Sequence, residues 1–207
     1  MSLSLYRNSS GKVLSVSDRV RRLHEAGDIQ GIKDQFSADL GLSSTTLCCV
    51  TPVSTLLEQV SCNLDLRNDE AVLSIGSGSG LFELLLSSFF SCGSVIGVDV
   101  APINLFLPSA SFFCIQTDED PSLVLAGKNI VSLLSVYMRR PSLLQDYLQW
   151  FPNVRKVVLV GPRSEDPLLD GAVADFVTAV GFTREILTVD VPGVLARGDM
   201  LQVLIKE

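Results

Sequence analysis

Apolar residues follow two periods along the chain, and the change between them divides it near residue 70. Before this point the chain is polar and helix-like, and the apolar residues of positions 53–60 recur every three or four residues, which is typical of an amphipathic helix. Beyond it, short apolar runs alternate with helical stretches, which is typical of parallel strands. Helices are predicted over residues 17–26, 29–38, 51–60, 81–90, 141–150 and 170–180. Strands are predicted over residues 71–75, 94–99, 112–116, 129–136, 154–160, 183–191 and 200–205.

Strands separated by helices predict a mostly parallel seven-stranded sheet with helices on both faces, a three-layer α/β sandwich. The last two strands are joined by a link too short for a parallel crossover, so the last strand is predicted to be antiparallel. Residues 1–50 are predicted to form a helical N-terminal extension, and residues 51–207 the sandwich domain. The extension caps the sheet edge, covers a ligand site or docks a partner.

Charge and composition narrow the possible functions. The 207 residues are 47% hydrophobic with a net charge of −7, so the chain is long and apolar enough for one folded core. An acidic surface repels phosphate backbones, and the best basic candidate, Arg21-Arg22, is interpreted as a solvated helix face. The single histidine, His24, argues against a Ser-His-Asp triad and against multi-histidine metal sites. No metal is therefore expected.

Cysteine spacing and the distribution of apolar runs indicate in which cellular compartment the protein is expected. The five cysteines include no CxxC pair, so neither a disulfide framework nor a zinc site is indicated. The first residues lack the apolar run of a secretory signal, and a cytoplasmic location is expected. Residues 71–117 hold only two charged side chains, Glu83 and Asp99. Glycines and prolines interrupt this stretch, which favours buried strands over a membrane span.

Three glycines, Gly76, Gly78 and Gly80, lie directly between a predicted strand and a predicted helix. Glycine there permits a tight turn and lets the backbone approach a ligand closely. The pattern is GxGxG, whereas a dinucleotide loop would carry its third glycine at the position of Leu81. The next strand ends at Asp99, nineteen residues after Gly80, where a carboxylate can accept both hydroxyls of a ribose.

The order of these features resembles that of the class I S-adenosylmethionine-dependent methyltransferases. Thr117-Asp118-Glu119 follows the third strand, where that family commonly contacts the adenine amino group, and Gly181-Phe182 precedes the closing strands. The resemblance covers residues 52–207 and implies a Rossmann-like fold that binds S-adenosylmethionine. It implies a cofactor site formed by Ser74, Gly76, Ser77, Gly78, Gly80, Asp99, Val100, Thr117 and Asp118.

Ser74 departs from this pattern. The family usually carries Asp or Glu two residues before the first glycine, where it orients the loop and the amino end of the methionine. Serine accepts a hydrogen bond but brings no charge. Either the affinity is lower, or Glu83 or another acid compensates, or the protein is a degenerate relative.

The acceptor is expected at the carboxyl end of the fourth strand, which is followed by Tyr137, Arg139 and Arg140. Tyr137 is a candidate pocket residue or base, and either arginine a candidate clamp for a carboxylate or phosphate. Equally, the tyrosine packs and the arginines face solvent. The sequence predicts a methyltransferase acting on a small molecule or a protein. The alternatives are a catalytically silent binding module and, disfavoured by Leu81, a nicotinamide or flavin oxidoreductase.

Overall fold

A computed structural model describes residues 13–37, 45–90, 93–116, 119–189 and 194–206. Short gaps therefore separate five described segments. The helices are α1 (Val16–Glu25), α2 (Ile29–Asp34), α3 (Ser54–Leu64), α4 (Leu81–Ser87), α5 (Pro121–Val124), α6 (Ser142–Trp150) and α7 (Gly171–Ala179). The strands are β1 (Glu70–Ile75), β2 (Ser94–Asp99), β3 (Phe112–Cys114), β4 (Asn129–Val136), β5 (Lys156–Pro162), β6 (Phe182–Val189) and β7 (Asp199–Lys206).

All seven strands form one sheet in the order β3-β2-β1-β4-β5-β7-β6. The pairs from β3 to β5 are parallel, while β7 runs antiparallel to both β5 and β6. The predicted mostly parallel sheet with an antiparallel last strand is confirmed. The last strand also inserts between β5 and β6, so β7 lies inside the sheet and β6 forms its edge.

Two apolar cores flank this sheet, as the alternation of side chains along each strand requires. Val72 of β1 packs with residues of α3 and α4 on one face. Its neighbour Leu73 packs with residues of α6 and α7 on the other. The three-layer sandwich predicted from the sequence is therefore the observed architecture.

The two N-terminal helices belong to the first of these cores. Val20 of α1 and Ile32 of α2 are fully buried within it, next to α3 and α4. Ser15 caps α1 by accepting the Asp18 N–H, and Asp28 caps α2 by accepting the Gly31 N–H. The two helices thus extend the helical layer that α3 and α4 form on this side of the sheet.

Several predicted elements are too long, for local reasons. Helix α4 ends at Ser87, because the Ser87 and Ser88 hydroxyls donate to helix carbonyls and compete with the backbone ladder. Strand β3 ends at Cys114, and the Gln116 N–H donates to the Glu119 carboxylate, 2.8 Å away. Helix α2 ends at Asp34, and the remainder of its predicted range is partly outside the described residues.

Three further findings concern the described residues. Over the described residues, no helix is both long and apolar enough to span a bilayer. The described cysteines, which are Cys48, Cys49, Cys62 and Cys114, all carry free thiols. The part of the chain that the structure describes also contains no cluster of side chains suited to a metal ion. The division into residues 1–50 and 51–207 stays a prediction, as does the cytoplasmic location.

Candidate functional site

The glycine bend, which we define as residues 76–80, connects the carboxyl end of β1 to α4 and is hydrogen-bonded to the carboxyl end of β2. Gly76, Gly78 and Gly80 all have positive φ angles of 72°, 55° and 79°. A Cβ built on Gly76 or Gly78 would meet no atom within 4 Å, so open space faces both positions. A Cβ on Gly80 would lie 2.7 Å from the Asn104 side chain. Packing therefore requires glycine at position 80, whereas positions 76 and 78 leave room for a ligand.

Asp99 holds this bend from the end of β2. One carboxylate oxygen accepts the Gly78 N–H at 2.9 Å, and the other accepts the Ala101 N–H at 3.1 Å. The Gly76 and Ser77 N–H groups donate to the Val98 carbonyl. Each carboxylate oxygen can accept more than one hydrogen bond. Half-buried Asp99 therefore retains acceptor capacity for a ligand while it fixes the bend.

A cavity of about 190 Å³ opens beside Asp99 and is named the Asp99 cavity. Its walls are mostly apolar, and its acidic and amide groups lie at or just after the ends of β2 and β3, with Arg140 contributed from the segment after β4. Its lining consists of Ile75, Gly76, Val98, Asp99, Val100, Ile115, Gln116, Glu119, Arg140, Leu143, Tyr147 and Trp150. Such a slot, apolar with a few converging polar groups, suits a flat heterocycle attached to a sugar.

A larger cavity, of about 600 Å³, lies on the other side of the bend and is named the Glu83 cavity. It is lined by Arg21, Thr45, Thr46, Leu47, Cys48, Cys49, Gly76, Ser77, Gly78, Ser79, Phe82, Glu83, Ile103, Leu105 and Val136. Gly76 lines both cavities, so the two meet at the bend. Residues 45–49 cross above the bend, where the Leu47 carbonyl accepts the Ser79 hydroxyl.

Ser74 and Glu83 form a buried pair beneath this cavity. The Ser74 hydroxyl donates to Glu83 Oε1 at 2.6 Å, and both side chains are almost fully buried. Burial raises the pKa of the Glu83 carboxyl to about 7, against the opposing effect of the Ser74 hydrogen bond. The resemblance leads one to expect an acid at position 74, where the chain has serine. The structure places the Glu83 carboxyl in hydrogen-bond contact with that serine.

Tyr137 begins the segment after β4, with an unusual positive φ of 61°. Its phenol donates to Asp199 Oδ2 at 2.6 Å, and its N–H donates to the Val160 carbonyl at 2.7 Å. Burial, together with the Asp199 carboxylate, raises the pKa of the phenol well above its usual range. The tyrosine is therefore a hydrogen-bond donor at neutral pH.

A third cavity, of about 250 Å³, is named the Tyr137 cavity. It is lined by Thr45, Cys48, Cys49, Val50, Thr51, Tyr137, Val194, Ala196 and Asp199. Three of these residues also line the Glu83 cavity, so the two cavities adjoin at the segment that covers the bend.

The predicted site residues are distributed over these cavities. Ser77 lines the Glu83 cavity and Val100 the Asp99 cavity, while Thr117 and Asp118 lie outside the described residues. Arg140 lines the Asp99 cavity, and exposed Arg139 lines none of the three cavities. The cavities therefore separate two arginines that the sequence places side by side.

Sequence reasoning missed Asp199 and the aromatic wall of the Asp99 cavity formed by Tyr147 and Trp150. No local pattern marks these residues, because they reach the site from distant elements. The sequence did carry a signal for the Glu83 and Asp99 carboxylates. Glu83 and Asp99 are the only charged residues between positions 71 and 117, and both line cavities at the bend.

Comparison with known proteins supports the fold. No protein-family model and no curated protein sequence matches the chain. The precorrin-6y C5,15-methyltransferase of Geobacter metallireducens GS-15 is similar in structure, with a TM-score of 0.54 at 12% identity. The match covers 81% of this chain and 96% of that one.

A precorrin 8w decarboxylase of Methanobacterium thermoautotrophicum is also similar in structure. Its TM-score is 0.51 at 14% identity, and the match covers 80% of this chain and 94% of that one. Both comparisons extend over nearly the whole of the other protein. The chain therefore has the Rossmann-like fold of the class I methyltransferases, as the resemblance implied.

Proposed function

We propose that the chain is an S-adenosylmethionine-dependent methyltransferase whose acceptor is a small molecule or a protein. One observation carries the proposal: the glycine bend is open at Gly76 and Gly78, is held by Asp99, and lies where two cavities meet. In parallel α/β sheets, ligands bind at the carboxyl ends of the strands. A nucleoside joined to an amino acid fits two cavities that meet at a point.

The Asp99 cavity suits the adenosine half of this cofactor. Ile115 and Trp150 offer apolar walls for the base, and Asp99 can accept hydrogen bonds from both ribose hydroxyls. Gln116 and Glu119 lie at the polar end of the cavity, where an adenine amino group would find acceptors. The local features of this cavity thus favour one ligand class, since the sugar, the base and the backbone contacts of the ligand each have a partner.

The Tyr137 cavity suits the acceptor, because it adjoins the Glu83 cavity at the end of β4. When bound, the cofactor supplies an electrophilic methyl group, so the protein's task is to orient a nucleophile and exclude water. Residues 45–49 line the same cavity as the bend, and the Leu47 carbonyl accepts the Ser79 hydroxyl. The Tyr137 phenol keeps its proton and donates a hydrogen bond to the Asp199 carboxylate. It therefore orients the acceptor rather than removing a proton from it.

Calorimetry with S-adenosylhomocysteine and with NADH tests the cofactor assignment. We expect S-adenosylhomocysteine to bind and NADH not to bind. Asp99→Ala should weaken binding about tenfold or more, because charge-assisted hydrogen bonds contribute roughly 1.5–3 kcal/mol each. Asp175→Ala, an exposed change on α7, is the matched control and should leave the affinity unchanged. Equal affinities for Asp99→Ala and wild type would refute the assignment.

Transfer of a labelled methyl group distinguishes an enzyme from a silent binding module. Labelled S-adenosylmethionine is incubated with fractionated small molecules and proteins from a cell extract. A labelled product that depends on Gly78, tested with Gly78→Ala, supports the enzyme. Tight cofactor binding without any labelled product supports the silent module.

A further inference from the structure

The carboxyl group of Glu83 is half satisfied. Its Oε1 accepts the Ser74 hydroxyl, whereas Oε2 has no hydrogen-bond partner among the described residues. The side chain is only 2% exposed. A buried polar atom without a partner is costly, and such atoms in native proteins commonly bind a ligand or an ordered water.

The surroundings of Glu83 indicate which ligand group would satisfy it. Glu83 lines the Glu83 cavity, whose other walls include Phe82 and the hydroxyl-bearing Ser77. A buried carboxylate is stabilised best by a cationic donor. Arg21, on the same cavity, carries the opposite charge. A cavity lined by one carboxylate and one guanidinium complements a zwitterion such as the end of a free amino acid.

The position of this cavity connects it to the nucleoside site. Gly76 lines both the Asp99 cavity and the Glu83 cavity, and a Cβ there would meet no atom within 4 Å. A ligand whose sugar lies against Asp99 can therefore continue across Gly76 without a side chain in its way. Its far end then lies in the cavity that Glu83 lines.

We propose that Glu83 accepts a hydrogen bond from the α-ammonium group of the cofactor's methionine, while Ser74 orients the carboxylate from β1. This inference rests on the proposed function. It assigns to the first turn of α4 the negative charge that Ser74 lacks. Ser74 is then a positioning residue, because it acts on the ligand through Glu83.

Two ligands that differ only in the amino acid end test this assignment. S-adenosylhomocysteine carries that end, whereas 5′-methylthioadenosine keeps the nucleoside and the sulfur but lacks it. Calorimetry on the full chain should show that Glu83→Gln weakens S-adenosylhomocysteine about tenfold or more, since a charged partner is lost. The affinity for 5′-methylthioadenosine should stay within about twofold. Glu58→Gln, the same change on the exposed face of α3, is the matched control.

Two variants at Ser74 separate positioning from packing. Ser74→Ala keeps the carboxyl but removes its donor, and it should weaken S-adenosylhomocysteine about threefold while sparing 5′-methylthioadenosine. In the Glu83→Gln background, Ser74→Asp returns a carboxylate from β1 and should recover at least about threefold of the lost affinity. Recovery by a second acid would identify the negative charge as the requirement.

The possible failures are distinguishable. If wild type binds neither ligand, the proposed function itself is wrong, and the role of Glu83 falls with it. If wild type binds both ligands and Glu83→Gln weakens both equally, Glu83 is only structural and the inference is overturned. If Glu83→Gln weakens neither ligand, the ammonium is bound elsewhere, which overturns the inference but leaves the proposed function intact.

Discussion

Replacing Glu83 with glutamine is expected to change how the stability of the free protein depends on pH. Burial raises the pKa of this carboxyl from 4.5 to about 7 in the folded state. Because the folded pKa is the higher one, the stability associated with the protonated carboxyl is fully present below about pH 4.5. It is lost as the pH rises through 7. Glutamine has nearly the same shape and does not ionise.

The magnitude follows from the difference between the two pKa values. Subtracting 4.5 from about 7 leaves about 2.5 pKa units. At about 1.36 kcal/mol per unit, ionisation costs the folded state about 3 kcal/mol once the pH is well above 7. In a chain of this size, each kcal/mol shifts the Tm by roughly 2–4 °C. About 2–3 kcal/mol of this cost develops between pH 5 and pH 8.5, because the carboxyl of the unfolded chain is already mostly ionised at pH 5. Over this range the Tm of Glu83→Gln should therefore gain roughly 5–10 °C on that of wild type.

Urea unfolding of both proteins at several pH values measures this effect. Titrations that the two proteins share cancel in the difference between their free energies of unfolding. Glu58→Gln should run parallel to wild type, because Glu58 is exposed. A constant difference between Glu83→Gln and wild type across this pH range would show that Glu83 titrates near its usual pKa. Burial would then not disfavour the ionised form of Glu83 in the folded protein.

Three further substitutions test the geometry of the site. Gly80→Ala should destabilise the fold by about 2–4 kcal/mol in urea unfolding, because its Cβ would lie 2.9 Å from Leu107 and its φ is positive. Gly78→Ala has the same φ cost but no steric neighbour, so equal losses for the two variants would contradict this reasoning. Tyr137→Phe should cost about 1–3 kcal/mol by leaving the buried Asp199 carboxylate without its phenol donor. An unchanged midpoint of urea unfolding would show that the bond contributes nothing.

Local sequence signals predict those parts of the site that come from consecutive elements of the chain. Gly76, Gly78 and Gly80 follow β1 directly, and Asp99 ends the neighbouring strand, so adjacency in the sheet brings them together. When two strands follow each other in the chain with one helix between them, they commonly lie side by side and parallel, so their pairing requires little long-range information. This is why the glycine bend and its carboxylate were recognisable from order and spacing.

The partners of these residues were not predictable in the same way. Asp199 reaches Tyr137 because β7 inserts between β5 and β6, an order that no periodicity encodes. Residues 45–49 cover the bend, although their composition predicts only a loop. Trp150 lies at the end of α6 and reaches the Asp99 cavity through the packing of that helix on the sheet.

The sequence by itself determined the alternation of elements, the antiparallel direction of the last strand and the position of the glycine bend. Each of these follows from spacing, backbone freedom or link length within a few residues. Only the tertiary structure decided that Glu83 joins Ser74, and that the Glu83 cavity adjoins the Asp99 cavity at the bend and the Tyr137 cavity at residues 45–49. Such contacts join residues from separate elements, and their geometry is set by how whole helices pack on the sheet.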